Sequence, residues 1–180
     1  YPGEQKDITP EKLGNNRVYF LPYLMGERSP INDTNARATL LGMSMDNTRS
    51  DMVQAVLEGV AFAIRDSFEV AKSLGIQIQR SKVCGGGAKS PLWRQIFANV
   101  LNLPLDIPQT EEGPGYGGAM LAMVGCGLYP SVKDCADALV SVRETVLPDP
   151  AIAARYEKQY RNFKEIYPAL KPLFAKLQEQ

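Results

Sequence analysis

The most informative local pattern in the chain is SKVCGGGAKSPLWRQIFANVL, residues 81–101. Its first residues are typical of a short strand, three consecutive glycines then make a turn, and apolar residues follow at helical spacing. Ser90 is a favoured N-cap residue, and Pro91 suits the first position of a helix. The stretch therefore predicts strand, glycine turn and helix, which is a building unit of α/β proteins.

The glycine turn, Gly85 to Gly87, is also the most informative candidate site. Residues without Cβ let a ligand touch the backbone and can adopt positive φ. The helix behind the turn offers unpaired N–H groups and about half a unit of positive charge. A phosphate or nucleotide site and a tight connection without ligand explain this pattern equally well. The loop is not a Walker A motif, because Ala88 stands where that motif requires a glycine directly before Lys89.

Upstream of the turn, the sequence predicts two short strands and one long helix. The apolar run at residues 18–21 is typical of a buried strand, and the run at residues 38–44 predicts a second short apolar strand. Between residues 52 and 68, apolar side chains recur every three or four positions, which is typical of an amphipathic helix. Thr48 and Asp51 have the spacing of a capping box, and Gly75 is expected to close the helix. Gly59 inside it predicts a close backbone neighbour, since a helical glycine costs about 1 kcal/mol relative to alanine.

Downstream, residues 103–108 predict another strand, and residues 117–126 predict a helix whose Ala and Met favour tight packing. Residues 149–167 carry aromatic side chains at helical steps, and we interpret this stripe as core. Residues 1–17 are polar and broken by Pro and Gly, so we expect a lead-in rather than a packed element. The order of strands and helices predicts an α/β layer fold.

Composition excludes several classes of function. The 180 residues contain 20 basic and 20 acidic side chains and no histidine. The balanced charge argues against nucleic-acid and anionic-membrane partners, and the absence of histidine excludes a Ser-His-Asp triad or a histidine-ligated zinc within this chain. Three cysteines without metal spacing, in a chain without a signal peptide, are typical of reduced thiols, so we expect a cytoplasmic location. The chain does not begin with Met and is expected to be a piece of a longer protein.

Several other residues are weaker candidates. The cluster GPGYGG, residues 113–118, fits G-x-G-x-x-G only formally, and we interpret it as a turn that opens a helix, with Gly118 in close packing. Arg28 lies in a loop after a strand, where it would contact a phosphoryl group or form a salt bridge. The same alternatives apply to Asp33 and Arg37. We expect Glu111 and Glu112 to lie on a solvent-exposed face. We expect Trp93 to serve in packing, although its position would also allow contact with an adenine ring.

A second stretch, ATLLGMSMDNTRSDMVQAVLE at residues 38–58, carries a resemblance to a known family. It is similar to a signature of the FGGY family of carbohydrate kinases, and the blocks FLPYLMGERSPIND and GGGAKSPLWRQIFANVLNLPL resemble the C-terminal half of the same family. The similarity runs from about residue 18 to about residue 173. Ten positions of the signature are matched by Ala38, Leu40, Gly42, Met43, Asp51, Met52, Ala55, Val56, Leu57 and Glu58.

The resemblance implies a ribonuclease-H-like, actin-like ATPase lobe with a central mixed sheet flanked by helices. Residues 1–180 would form one domain, the C-terminal nucleotide-binding lobe of a two-lobe kinase, with residues 1–17 leading in from the other lobe. ATP with Mg²⁺ would bind in the cleft between the lobes. The adenosine motif of the family falls on Gly85, Gly86, Gly87 and Ala88, and Ser90 stands where relatives often carry an Asn that touches the nucleotide.

The implied activity is ATP-dependent phosphorylation of a sugar, D-xylulose in the first place, with gluconate, ribulose or glycerol as alternatives. The sugar pocket and the catalytic base are expected in the N-terminal lobe, so this chain alone is expected to be inactive, with Arg28 as a phosphoryl contact. No metal-ligating residue is assigned here, and a homodimer is compatible with the family. The alternative from another class is a non-catalytic binding module, because the chain contains no complete catalytic constellation.

Overall fold

A computed structural model describes residues 2–110 and 113–178 of the chain, so the prediction for Glu111 and Glu112 lies outside the described residues. The helices are α1 (Pro2–Gln5), α2 (Arg49–Ser73), α3 (Pro91–Leu101), α4 (Gly113–Gly125), α5 (Val132–Leu139) and α6 (Pro150–Gln178). The strands are β1 (Tyr19–Leu21), β2 (Thr39–Leu41), β3 (Ser81–Lys82), β4 (Leu105–Pro108) and β5 (Val142–Val146). The α/β prediction is confirmed.

The described strands form two separate sheets. Strands β1 and β2 pair antiparallel, with Tyr19 opposite Leu41. The other sheet is mixed, because β3 runs parallel to β4 and β5 runs antiparallel to it. Parallel strands end at the same edge of a sheet, so the segments that follow β3 and β4 lie side by side. This edge carries the glycine turn.

Helix α2 begins and ends where the sequence predicts. The Asp51 N–H donates to the Thr48 hydroxyl, and Asp51 Oδ2 accepts from the Thr48 N–H at 2.7 Å, which completes the capping box. Gly75 ends the helix at φ +82°, and its N–H donates to the Lys72 carbonyl at 3.0 Å. A Cβ on Gly59 would collide with the Phe20 carbonyl oxygen, so β1 lies directly on α2. The close neighbour expected at Gly59 is confirmed.

The aromatic stripe of α6 belongs to the core, as predicted. Tyr156, Tyr160 and Phe163 are each at most 4% exposed and pack around Phe62 of α2. The helix runs past residue 167 and includes Pro168 and Pro172, which the sequence does not predict. Phe174 is 3% exposed and belongs to the same cluster. Its burial favours continuation of the helix despite the hydrogen bonds that the prolines remove.

The expectation that residues 1–17 are unpacked is wrong. Ile8 and Leu13 are buried in the main apolar cluster. The Lys12 carbonyl accepts a hydrogen bond from the Gln54 side chain at 2.9 Å. Two apolar side chains in a polar stretch leave no periodic signal, so sequence patterns do not reveal this packing. Helix α5 and the largely exposed strand β5 are further elements that the sequence did not predict.

The prediction of tight packing for α4 is also wrong. The helix begins at Gly113, so the glycine cluster forms its first turns instead of preceding it. None of its residues is buried, and a Cβ on Gly118 would meet no atom within 4 Å among the described residues. Leu121, on the same helix, is 61% exposed. The glycines of α4 therefore meet no described neighbour, although α5 packs beside this helix, with the Cys135 thiol facing the Met120 carbonyl. Within the described ranges, no helix combines the length and apolarity needed to cross a bilayer.

Candidate functional site

The glycine turn has the local structure that its sequence predicts. After β3, the Val83 N–H donates to the Asp106 carbonyl at 3.0 Å and extends the parallel pairing. Gly85 then adopts φ +91° and ψ −178°, a region that essentially only glycine occupies. Residues 86–89 make a single 3-10 turn, closed by the Ala88 N–H on the Gly85 carbonyl at 3.1 Å. The chain thus reverses sharply at the carboxyl edge of the sheet.

The structural requirement for glycine differs among the three positions of the turn. Gly85 is required by its backbone angles. A Cβ on Gly87 would collide with the Trp93 ring, lying 2.7 Å from Cε3. Gly86 has no positive φ, and a Cβ there would meet no atom within 4 Å among the described residues. Of the three, only Gly86 combines a backbone that other residues can adopt with open space for an approaching ligand.

Ser90 caps α3, as predicted, and its hydroxyl already has two partners. Ser90 Oγ accepts from the Trp93 N–H at 3.2 Å and donates to Gln5 Oε1 at 2.9 Å. Pro91 occupies the start of the helix. The contact of Ser90 with a ligand stays a prediction, and a ligand would meet a hydroxyl that is engaged in holding α1 and α3 together.

Trp93 packs, which confirms the first of its two interpretations. Its ring lies against Gly87 on one side and near Phe97, with ring centroids 5.4 Å apart. Its Nε1–H donates to the Leu57 carbonyl of α2 at 3.0 Å. The single tryptophan of the chain therefore connects the glycine turn to the long helix.

The parallel register brings the second glycine cluster to the same edge as the first. A small cavity of about 110 Å³ lies there, lined by Cys84, Pro108, Thr110, Gly113, Tyr116, Val140 and Ser141. The Tyr116 hydroxyl donates to the Leu139 carbonyl at 2.9 Å and ties α4 to the end of α5. The two clusters are separate in the sequence, and their proximity was not predicted from it. The strand that precedes each cluster was the signal that could have revealed it.

Arg28, Asp33 and Arg37 lie in a loop beyond β1. Its base is closed by paired backbone bonds between Glu27 and Asp33, at 2.9 and 2.8 Å. Asp33 accepts from the Tyr167 hydroxyl at 2.7 Å, and this hydrogen bond is the main reason that the pKa of Asp33 is lowered. Arg37 donates to two carbonyls of its own loop. These contacts favour the structural interpretation for both residues.

Arg28 is different, because its side chain is exposed. Among the described residues, no hydrogen bond or ion pair joins it to the glycine turn. Its role as a phosphoryl contact stays a prediction.

Glu58, the last residue of the signature, lies in a buried polar cluster instead of a solvent-facing site. It is 2% exposed, and its Oε1 accepts from Gln54 Nε2 and from the Tyr156 hydroxyl, both at 2.8 Å. Burial raises the pKa of Glu58 to about 7. The cluster connects α2 to α6, and through Gln54 to residue 12. We assign it to the fold because Glu58 and Tyr156 are almost completely buried.

No group of three or more acidic or cysteine side chains lies close enough to hold a metal ion within the described part of the chain. The cysteines Cys84, Cys126 and Cys135 are free. The glycine turn consists of backbone and small residues at a sheet edge, and the helix start behind it favours negatively charged ligand groups.

Comparison with known proteins agrees with this geometry. Residues 4–126 match the FGGY family of carbohydrate kinases, C-terminal domain. A xylulose kinase of Staphylococcus epidermidis is 35% identical over 166 residues, which are 92% of this chain and 34% of that protein. This chain therefore spans about a third of the length of such relatives.

Solved structures give the same result. A gluconate kinase from Lactobacillus acidophilus matches with a TM-score of 0.84 and 28% identity, over 97% of this chain and 34% of the other. A xylulose kinase from Rhodospirillum rubrum matches with a TM-score of 0.79 and 33% identity, over 96% and 34% of the two chains. These neighbours confirm the expected actin-like ATPase fold. The chain belongs to the FGGY family of carbohydrate kinases, and its residues 4–126 match the C-terminal domain of that family.

Proposed function

We propose that this chain is the nucleotide-binding lobe of an ATP-dependent sugar kinase. The observation that carries the proposal is the open backbone of Gly86, in a glycine turn at the carboxyl edge of parallel strands. Ligands of open α/β sheets bind at this edge, and turns that lead into a helix suit phosphate groups. Membership of a carbohydrate kinase family supports the same ligand.

In this proposal the turn binds the nucleotide through main-chain atoms of residues 85–88, and the capped start of α3 fixes the direction of the turn. Mg²⁺ arrives with ATP as part of the substrate. The sugar hydroxyl attacks the γ-phosphorus, the bond from that phosphorus to the β–γ bridging oxygen breaks, and ADP leaves. The hydroxyl proton passes to a base outside this chain. Phosphoryl transfer asks the protein mainly for positioning and charge stabilisation, so a lobe without histidine suits this chemistry.

D-xylulose is the proposed sugar, and gluconate is the main alternative. The names of relatives at 35% and 33% identity support xylulose. The gluconate kinase structure matches with a higher TM-score of 0.84, and fold similarity does not identify a sugar. A panel of D-xylulose, gluconate, ribulose and glycerol, assayed with the full-length protein, distinguishes these substrates.

We also propose that the rest of a longer protein packs against this lobe and supplies the sugar site. Helix α4 supports this proposal, because it carries apolar side chains such as Leu121 and buries none of its residues here. An apolar face of this kind is normally covered by another element. The exposed free thiols of Cys84 and Cys126 suit a reducing compartment, so we propose that the protein works in the cytoplasm.

The test is calorimetric titration of the full-length protein with ADP and Mg²⁺, comparing wild type with Gly86→Val. A valine at residue 86 finds open space in the fold, so loss of affinity at an unchanged melting temperature would locate the ligand there. Gly3→Val is the matched control, since a Cβ on Gly3 would also meet no described atom within 4 Å. Equal affinity of wild type and Gly86→Val would refute the site.

A further inference from the structure

We propose that Trp93 is a positioning residue that holds the glycine turn in its binding conformation by fastening it to α2. This inference rests on the proposed function and deepens it. Trp93 does not touch the nucleotide in this proposal. It acts through Gly87, and its effect is therefore confined to the affinity for the nucleotide.

The Trp93 ring is in direct contact with the glycine turn. A Cβ on Gly87 would collide with Cζ3 of Trp93 and would lie 3.3 Å from Cη2. The backbone at residue 87 is therefore seated directly on the indole. A Cβ on either Gly85 or Gly86 would meet no described atom within 4 Å. The Trp93 indole is thus the side chain on which the turn packs, through Gly87.

The indole itself is held in place. Its Nε1–H donates to the Leu57 carbonyl at 3.0 Å, and the ring packs at 5.4 Å from Phe97, which is 8% exposed. The Trp93 N–H is fixed by Ser90 Oγ. These partners leave the ring little freedom to turn.

The anchor on α2 is rigid. Leu57 is followed by Glu58, which is hydrogen-bonded to Gln54 and Tyr156, and by Gly59, which touches the Phe20 carbonyl. Residues 57–59 of α2 therefore contact α3, α6 and β1 in turn. A turn fastened to this point is preorganised for its ligand, and preorganisation lowers the entropy that binding costs.

The test uses steady-state kinetics of the full-length protein with Trp93→Phe, which keeps a ring and removes the Nε1–H donor. We expect the KM for ATP to rise several-fold, up to about tenfold, the effect of one neutral hydrogen bond, while kcat and the KM for the sugar stay unchanged. Ile96→Val is the control, since Ile96 is fully buried in the same helix and is not part of the turn. If Ile96→Val lowers the melting temperature as much as Trp93→Phe does, it should still keep the wild-type KM for ATP.

Gly87→Ala provides a second, independent measurement. The added methyl group displaces the ring, so it should raise the KM for ATP as Trp93→Phe does. The effects of Gly87→Ala and Trp93→Leu should be less than additive in the double variant, because the smaller side chain leaves room for the methyl group.

Additive effects, or a rise in the sugar KM equal to the rise in the ATP KM, would overturn the proposal. If Trp93→Phe does not fold, the additivity of Gly87→Ala and Trp93→Leu in the double variant decides. If Gly86→Val abolishes ADP binding and neither Trp93→Phe nor Gly87→Ala changes the KM for ATP, the positioning role is wrong and the proposed function stands. If Gly86→Val has no effect, the proposed site fails first.

Discussion

The hydroxyl of Tyr156 donates a hydrogen bond of 2.8 Å to Oε1 of Glu58, and both residues are almost completely buried. The two residues lie on different helices and are 98 positions apart in the chain. Gln54 donates to the same oxygen. One carboxyl group therefore organises the contact between α2, α6 and the N-terminal segment. Its burial has measurable consequences for stability.

The first prediction concerns the pH dependence of folding. Burial raises the pKa of Glu58 to about 7, above the value of 4.5 for an exposed glutamate. The folded state therefore binds this proton more tightly than the unfolded state does. The contribution of Glu58 to the free energy of unfolding decreases as the pH rises from about 4.5 to about 7, by roughly 3 kcal/mol, and is constant above that range.

Urea denaturation between pH 4 and pH 9 measures this effect. The difference between wild type and Glu58→Gln removes the contributions of all other groups. We expect the variant to gain stability relative to wild type as the pH rises through that range. A difference that does not change with pH would show that the folded carboxyl titrates normally.

The second prediction concerns Tyr156→Phe. The variant leaves Glu58 Oε1 with the Gln54 donor alone, in a buried position. We expect the free energy of unfolding to fall by about 1–3 kcal/mol at pH 8, because a buried acceptor loses a partner. Tyr167→Phe is the matched control on the same helix, since the partner of Tyr167 is the carboxylate of Asp33 in a surface loop. Similar losses in both variants would contradict the special role of the buried pair.

The third prediction concerns Gly59→Ala. The new methyl group collides with the Phe20 carbonyl oxygen, so β1 has to move away from α2. We expect a loss of about 1–3 kcal/mol in the free energy of unfolding, in spite of the better helix propensity of alanine. Gly125→Ala, where a Cβ meets no described atom within 4 Å, should be neutral or stabilising. A stabilising effect at residue 59 would disprove the close approach.

The fourth prediction concerns Arg28→Ala. The exposed side chain contributes little to stability, so the melting temperature should stay within about 1 °C of wild type, as is usual for surface substitutions. If Arg28 contacts the phosphoryl group, kcat of the full-length protein should fall at least tenfold, because removal of a charge that stabilises the transition state costs more than about 1.4 kcal/mol. Wild-type kinetics in Arg28→Ala would remove this residue from the site.

Much of the local structure was predictable, because its causes lie within a few consecutive residues. The ends of α2 follow from Thr48, Asp51 and Gly75, and the start of α3 follows from Ser90 and Pro91. The glycine turn follows from three residues that lack a Cβ. The family signature is likewise a pattern along the chain.

Other features were not predictable, because they depend on which distant segments meet. The packed N-terminal residues Ile8 and Leu13, and the continuation of α6 through Pro168, are determined by burial against other elements. The exposed α4 shows the reverse case, since none of its residues is buried although its sequence of small and apolar residues favours tight packing.

Residues close together in the chain are sufficient to specify the strand–turn–helix unit and to identify the kinase family. The three-dimensional contacts were needed to establish that Gly86 is the sterically open glycine, that Gly87 packs on Trp93, and that Glu58 is a buried hydrogen-bond acceptor. This difference arises because caps, turns and propensities act over only one or two helical turns. Steric access and burial instead depend on contacts between residues that are distant in the sequence and meet only in the folded protein.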